Sequence, residues 1–400
     1  MSKKQIQYAI IFFTLFIDMV GFGIIIPILP RYAEYFGATS FQLGMIVAVY
    51  SLAQFVMLPI WGKLSDRIGR KPVLLLSVFG TAIGYLMMGF SQSIIMMIIA
   101  RAIDGGAGGN MGTAQAYVSD ITAPEERSKA MGVLGSAFGF GFVIGPALGG
   151  FISYRYGIVA PMFFAGGLAL LNALLIGIFL PESLRREEKT TTGVDHQKSS
   201  LWKNVDKKIY LPALCTFFFF ITGFAIITTV FSLFVYYRYH FNEQQTGWVY
   251  TMEGMIAIIL EGALFGMLSK KWGDRRLVIL GSCFTAVGFF FLPLTAHVRS
   301  MVFFFAMVAM GDSLLTPGLP GIISRSVSSE WQGAAFGFFQ SVGSLGRLLG
   351  PLIAGYFLAI DLHGPIEAYA RTAFFVAAGL LVGAFFCSLK IPKKIEGSKG

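Results

Sequence analysis

The amino-acid sequence predicts an all-α polytopic membrane protein, with twelve transmembrane helices arranged as two pseudo-symmetric six-helix bundles. Three observations predict it. Of 400 residues, 55% are hydrophobic and only 13% are charged, whereas a soluble domain is nearer 25% charged. A water-soluble chain of this length would bury an adequate core but would still need a charged surface, so the surplus apolar surface faces lipid. The apolar residues also fall into evenly spaced, helix-length runs, and the two halves of the chain repeat one another.

Candidate helices begin near residues 6, 41, 72, 94, 129, 160, 209, 245, 276, 300, 332 and 367. At about 20 residues each, twelve spans fit the chain and leave short loops. Runs this long disfavour a transmembrane barrel, whose strands alternate over about ten residues. The first run, Ile6 to Leu29, follows Lys3 and Lys4 and superficially resembles a secretion signal. It is too long, contains Asp18 and lacks a small-residue cleavage site, so it reads as an uncleaved first span.

Lys and Arg concentrate in alternate connectors, which by the positive-inside rule places both termini in the cytoplasm. The net charge of +10 therefore records loops held inside, and no nucleic-acid partner is expected. Cys215, Cys283 and Cys387 sit in apolar runs without metal-ligand spacing, so neither a disulfide framework nor a metal site is expected. One long polar stretch, residues 181–208, divides the chain. It reads as a cytoplasmic linker between a bundle at 1–180 and a bundle at 209–400.

The internal repeat is explicit. GKLSDRIGRKPVLLL from Gly62 aligns with GMLSKKWGDRRLVIL from Gly266, an offset of 204, and GPALGGF from Gly145 aligns with GPLIAGY from Gly350, an offset of 205. Two parallel six-helix repeats facing a central cavity suggest alternating access.

Ionisable groups inside spans are costly and mark functional candidates. Here they are Asp18, Arg101, Asp104, Glu253, Glu261, Asp312 and Arg347. Asp18 lies near the middle of span one, where burial penalises its charged form, so it is a proton carrier or an acid neutralised by helix-end donors. Arg101 and Asp104 are three apart on span four, spaced for a local pair that a proton or cation would break, or that stays closed as structure. Glu253 and Glu261, eight apart on a regular helix, would stand about 80° apart and roughly 12 Å along the axis. Asp312 either pairs with Arg347 as a structural bridge between spans ten and eleven or takes part in coupling. Gln54, Asn110, Gln115, Asn172 and Gln340 offer hydrogen bonds to a ligand or between helices, and Tyr236, Tyr237 and several Phe runs supply aromatic surface.

Two further segments stand out. Gly62, Asp66, Arg67, Gly69, Arg70 and Lys71 crowd glycines and charges into one tight loop, fit to lock helix ends or to anchor the positive side. Span five carries Gly135, Gly139, Gly141, Gly145, Pro146, Gly149 and Gly150, which permit close helix approach and a bend.

GKLSDRIGRKP, RAIDGGAGGNMGTAQAY and GFGFVIGPALGG, in that order, resemble three signature motifs of the major facilitator superfamily. The likeness is to its twelve-helix drug/proton antiporter branch, and within that to tetracycline-efflux-type permeases. It spans essentially the whole chain. The resemblance implies the major facilitator fold and a proton-coupled exporter of small amphipathic compounds, resident in a bacterial inner membrane as a monomer and driven by the proton gradient without a cofactor. Its partners would be a small-molecule substrate, protons and the bilayer.

The resemblance also carries roles to residues. Asp66 and Arg70 would form an inter-helix charge network in the gating loop. Gly141, Gly145, Pro146, Gly149 and Gly150 would form the antiporter motif. Asp18 and Arg101 would serve proton coupling, with Asp104 standing where many relatives have glutamine, and Glu261 likewise departing from a more usual glutamine. In the second copy of the loop Lys270 replaces Asp66 and Asp274 replaces Arg70, so that network must be rewired.

A metabolite, sugar or lipid transporter on the same scaffold is the nearest alternative, and a non-transporting membrane sensor a more distant one. An enzyme is not expected. His196, His240, His297 and His363 lie in loops or at span ends without a nucleophile motif, and no ATP-binding loop is present in the sequence.

Overall fold

Apolar runs this long meet no water in a bilayer, so their backbone N–H and C=O groups must bond within the segment, as a helix does. The computed structural model describes residues 3–123, 126–183, 202, 204–328, 331–361 and 365–393. Among these residues there is no strand, only an isolated bridge between Val205 and Val327. Most of the expected linker, together with His196 and His363, lies outside the described residues.

The first half of the chain forms α1 (Lys3–Ile25), α2 (Leu29–Tyr35), α3 (Ser40–Ile68), α4 (Arg70–Gly89), α5 (Ile94–Ala107), α6 (Asn110–Ile121), α7 (Arg127–Tyr156) and α8 (Ala160–Phe179). The second half forms α9 (Lys207–Tyr239), α10 (Glu243–Ala257), α11 (Phe265–Trp272), α12 (Asp274–Phe291), α13 (Val298–Arg325), α14 (Gln332–Asp361) and α15 (Arg371–Leu389). Sequence signals set several ends. Thr39 and Gln42 form a reciprocal capping box at the start of α3. Gly69, at φ +111°, and Gly273, at φ +77°, make the turns into α4 and α12.

Among the described residues eleven stretches are long and apolar enough to cross a membrane, against twelve expected. The fourth span departs from a single helix, being built as α5 and α6, of 14 and 12 residues. Neither reaches the length of about 20 that a span needs. The break falls at Gly108 and Gly109, where side chains from elsewhere take up carbonyls at the end of α5. The Trp61 indole donates to Gly106 O at 2.6 Å, and the Ser77 hydroxyl donates to Ala107 O. Inserted donors of this kind interrupt a helix.

Span eight is also irregular. Between α10 and α11 the backbone passes through a π-helical segment, Ile258–Leu264. The regular-helix spacing expected between Glu253 and Glu261 therefore does not hold, because a π turn takes more residues than an α turn.

By contacts the chain forms two compact units. One comprises Met1–Arg185, Thr228–Met255 and Ala354–Tyr369, and the other Arg186–Ile227, Ile256–Ile353 and Ala370–Gly400. In the first unit α1 packs along α7, and the buried core includes Ile11, Leu15, Leu74, Val78, Leu134 and Ala137. A Cβ on Gly145 would lie 2.9 Å from Gly23 Cα and 2.7 Å from Val20 O, so the two backbones touch. In the second unit α12 and α13 meet in the same manner, a Cβ on Gly281 falling 2.7 Å from Gly311 O. Large apolar side chains such as Ile95, Leu174, Ile178 and Phe386 remain exposed, a surface that lipid covers.

Gly145→Val should lower stability by about 1–3 kcal/mol, the usual cost of overpacking a tight contact. Gly135, with open space around its Cβ position, should accept Ala within about 0.5 kcal/mol. Thermal unfolding of the purified chain compares the two.

Candidate functional site

The first unit contains a polar cluster assembled from four spans. Arg101 and Asp104, both buried on α5, form the expected pair, Arg101 donating to Asp104 at 2.7 Å. The guanidinium lies over the Tyr50 ring from α3, 4.2 Å from its centroid, a cation–π contact. Asp18 on α1 and Tyr85 on α4 are electrostatic neighbours of the pair. Glycines let these groups approach. A Cβ at Gly84 would meet Asp104 Cβ at 2.7 Å, and one at Gly21 would meet the Tyr85 ring at 2.9 Å.

Asn110, at the start of α6, lies beside Asp18 with its amide turned towards the carboxylate, while Arg101 Nε completes no hydrogen bond. One buried donor of the cluster thus stands ready for a ligand or water. Gln54 borders the same helix break, its Nε2 2.9 Å from the Cβ position of Gly108. Asp18, Arg101, Asp104, Gln54 and Asn110 are conspicuous in the sequence as polar groups in apolar runs, whereas Tyr50 and Tyr85 look like ordinary span aromatics. The glycines Gly80 and Gly84 just before Tyr85 were the available signal.

The segment expected as a tight loop is helical except at Gly69, with Gly62, Asp66 and Arg67 in α3 and Arg70 and Lys71 in α4, and its charges are wired across that turn. Arg70 donates to Asp66 at 2.7 Å, to Ser65 at 2.6 Å and to Asp120 at 3.2 Å. Glu182 caps the start of α4, accepting from Arg70 N at 2.9 Å and Lys71 N at 3.1 Å, where the helix dipole favours an anion. Lys71 Nζ donates to Gly177 O at 2.8 Å. Asp120 and Glu182 were not anticipated, because both look like ordinary solvated residues at span ends.

The second loop repeats this scaffold with the signs exchanged. Asp274 stands 204 residues after Arg70, and Arg325 stands 205 after Asp120. Asp274 pairs with Arg325 and accepts from Ser269, itself 204 residues after Ser65. The rewiring expected from Lys270 and Asp274 is therefore a swap of acid and base across an equivalent helix pair.

The glycine motif of α7 works on two faces. Gly141, Gly145 and Gly149 press on Met19, Gly23 and Ile24 of α1, while Gly150 and Pro146 meet Glu243 and Gly247 of α10. Thr251 donates to Val143 O at 3.1 Å, tying α7 to the helix that carries buried Glu253. Beyond this contact, Arg31 pairs with Glu243 at 3.0 Å and lies 3.4 Å from the Tyr236 ring centroid. Tyr237 donates to Glu34 and packs on Tyr369, ring centroids 4.6 Å apart. Tyr236 and Tyr237, considered as substrate surface, thus engage a charged latch at the helix ends. Burial, with Glu34 next in weight, pushes the Tyr369 hydroxyl well above its ordinary range.

In the second unit Glu261 and Asp312 are electrostatic neighbours. Asp312 accepts from Thr316 at 3.2 Å, and Arg347 donates to Ser344 at 3.0 Å. Gln115 and Gln340 are exposed, and Asn172 donates to Thr14 O at 3.3 Å, a helix-to-helix role.

The sequence profile of the Major Facilitator Superfamily matches residues 11–260 and 213–399. The chain is similar to Multidrug resistance protein 2 of Bacillus subtilis (strain 168), 29% identical over 383 residues and covering 95% of each protein. It is also similar to the class B tetracycline resistance protein of Escherichia coli, 30% identical over 342 residues and 84% of each. Among solved structures it resembles a bacterial homolog of the human lysosomal transporter Spinster, in an inward-facing and unoccupied conformation. The TM-score is 0.81 over 98% of both chains at 15% identity, a likeness of fold.

Arg70→Asp and Asp120→Arg should each lower stability, and the double substitution should recover part of the loss, with a coupling of about 0.5–3 kcal/mol. Glu182→Ala should cost about 1 kcal/mol as a lost helix cap. Thermal unfolding of the four variants measures both effects.

Proposed function

Because this chain belongs to the Major Facilitator Superfamily, we propose that it is a proton-coupled secondary transporter exporting small amphipathic compounds, of multidrug or tetracycline type. Transport proceeds by alternating access between two six-helix bundles, 1–180 and 209–400. The observation that carries the mechanism is the buried Arg101–Asp104 pair with Asp18 beside it. The substrate class is supported by relatives whose names are those of multidrug and tetracycline resistance proteins.

Two carboxylates against one guanidinium leave one formal negative charge in apolar surroundings, an arrangement that attracts a cation. A proton neutralises it, and so does a monovalent cationic substrate, but the two together overshoot. Mutually exclusive occupancy is the requirement for antiport. A proton entering from outside displaces the substrate and favours one conformer; its release inside restores the charge and the opposite conformer. The Arg101 Nε, with the Asn110 amide beside Asp18, supplies a donor for a substrate's polar edge.

The Arg31–Glu243 and Tyr237–Glu34 contacts serve as the outer latch, and the Arg70 network as the inner one. Glu253, Glu261 and Asp312 contribute further acids to the coupling path. The protein works as a monomer in a bacterial inner membrane with both termini cytoplasmic, since one chain contains both repeats.

In proteoliposomes, cationic dyes or tetracyclines should drive proton movement through the wild type, and Asp18→Asn should abolish it. Proton flux undiminished in that variant would remove Asp18 from the mechanism. Arg101→Ala should destabilise the protein by about 3–5 kcal/mol, because Asp104 is left as an uncompensated buried charge. Adding Asp104→Ala should restore most of that stability without restoring coupling. Paired unfolding and flux measurements separate the two roles.

A further inference from the structure

Where α11 turns into α12, the second unit carries a cavity of about 500 Å³ lined by five cations, Lys271, Arg275, Arg276, Arg325 and Lys393, against one acid, Asp274. Two of the cations are engaged. Arg325 pairs with Asp274, and Arg275 donates to the carbonyls of Ile391 and Leu389. Lys271, Arg276 and Lys393 are exposed and make no ion pair with a described residue. Like charges gathered around one concavity repel unless an anion joins them. The start of α12, with 18 residues of aligned backbone dipoles, adds positive potential at the same place.

The internal repeat shows what is missing. In the first half the equivalent helix start holds an anion of the chain itself, the Glu182 carboxylate on Arg70 N and Lys71 N. Glu182 belongs to LPES after α8, and the matching segment after α15 reads IPKK, with Lys393 in place of the glutamate. An internal anion has been exchanged for a cation. Among the described residues Asp274 is the one acid lining the cavity, and Arg325 engages it, so the remaining cations are open to an anion from outside the chain.

We propose that this cavity binds a phosphate group, presented by the headgroup of an anionic phospholipid. The turn lies at the ends of two membrane-spanning stretches, at the depth of headgroups. Trp272, exposed at its rim, is the residue type that settles in that interface. Basic pockets at helix ends recognise phospholipid headgroups through charge-assisted bonds to phosphate oxygens. The site takes no part in the transport reading, and its test does not depend on flux.

The full chain, stripped of lipid in detergent, is titrated with phosphatidylglycerol, with phosphatidylcholine and with inorganic phosphate, bound species being counted by native mass spectrometry. The combined variant Lys271→Gln, Arg276→Gln, Lys393→Gln is compared with an equal-charge control, Arg127→Gln, Lys207→Gln, Lys208→Gln. Phosphatidylglycerol should bind the wild type and the control alike and more tightly than phosphatidylcholine. The pocket variant should lose about a hundredfold in affinity, as three surface cations near a charged headgroup imply. Equal phosphatidylglycerol binding by wild type and pocket variant would overturn the proposal, as would equal affinity for the two lipids. Inorganic phosphate that binds the wild type but not the pocket variant, and displaces phosphatidylglycerol, would support the phosphate site and assign it to a soluble source.

Discussion

A charge inside a lipid-covered helical bundle must be neutralised by another group of the protein or by something the protein binds. That cost explains why polar residues here gather instead of scattering. Arg101 is held between Asp104 and the Tyr50 ring, and Asp18 is brought to the same place from another span. The cluster remains short of one positive charge. A cluster with balanced charges would be a structural rivet; this one leaves room for a mobile cation, which is what the proposed antiport requires.

Small residues allow the charges to meet without leaving voids. Gly21 and Gly84 let Tyr85 and Asp104 lie against neighbouring backbones. The α7 glycines do the same for whole helices, contacting α1 on one face and α10 on another. One glycine-rich helix thus touches both the helix that carries Asp18 and the helix that carries Glu253. Movement of α7 would be felt at both helices.

The turns between α3 and α4 and between α11 and α12 show how a duplicated scaffold tolerates change. Ser65, Arg70 and Asp120 in one copy correspond to Ser269, Asp274 and Arg325 in the other, with acid and base exchanged. Coulomb attraction is indifferent to which partner carries which sign, so the helix ends remain tied. The exchange is not neutral beyond the pair. Removing the capping carboxylate from the second copy and placing Lys393 in its segment leaves that end of the molecule strongly positive.

The sequence by itself determined the membrane class, the helical architecture, the internal repeat and the identity of the costly charges. Each of these depends on composition or periodicity, which are local. Asp18, Arg101 and Asp104 were legible because an ionisable residue in an apolar run is conspicuous wherever it lands. Tertiary structure decided the partners. Tyr50 and Tyr85 look like ordinary aromatics, and Asp120 and Glu182 like solvated loop residues, until folding brings them to Arg101 and Arg70. The break in span four and the π segment in span eight were equally hidden. Both arise where long-range packing and donors such as Trp61 and Ser77 compete with the helix's own hydrogen bonds, and no local pattern reports the outcome of that competition.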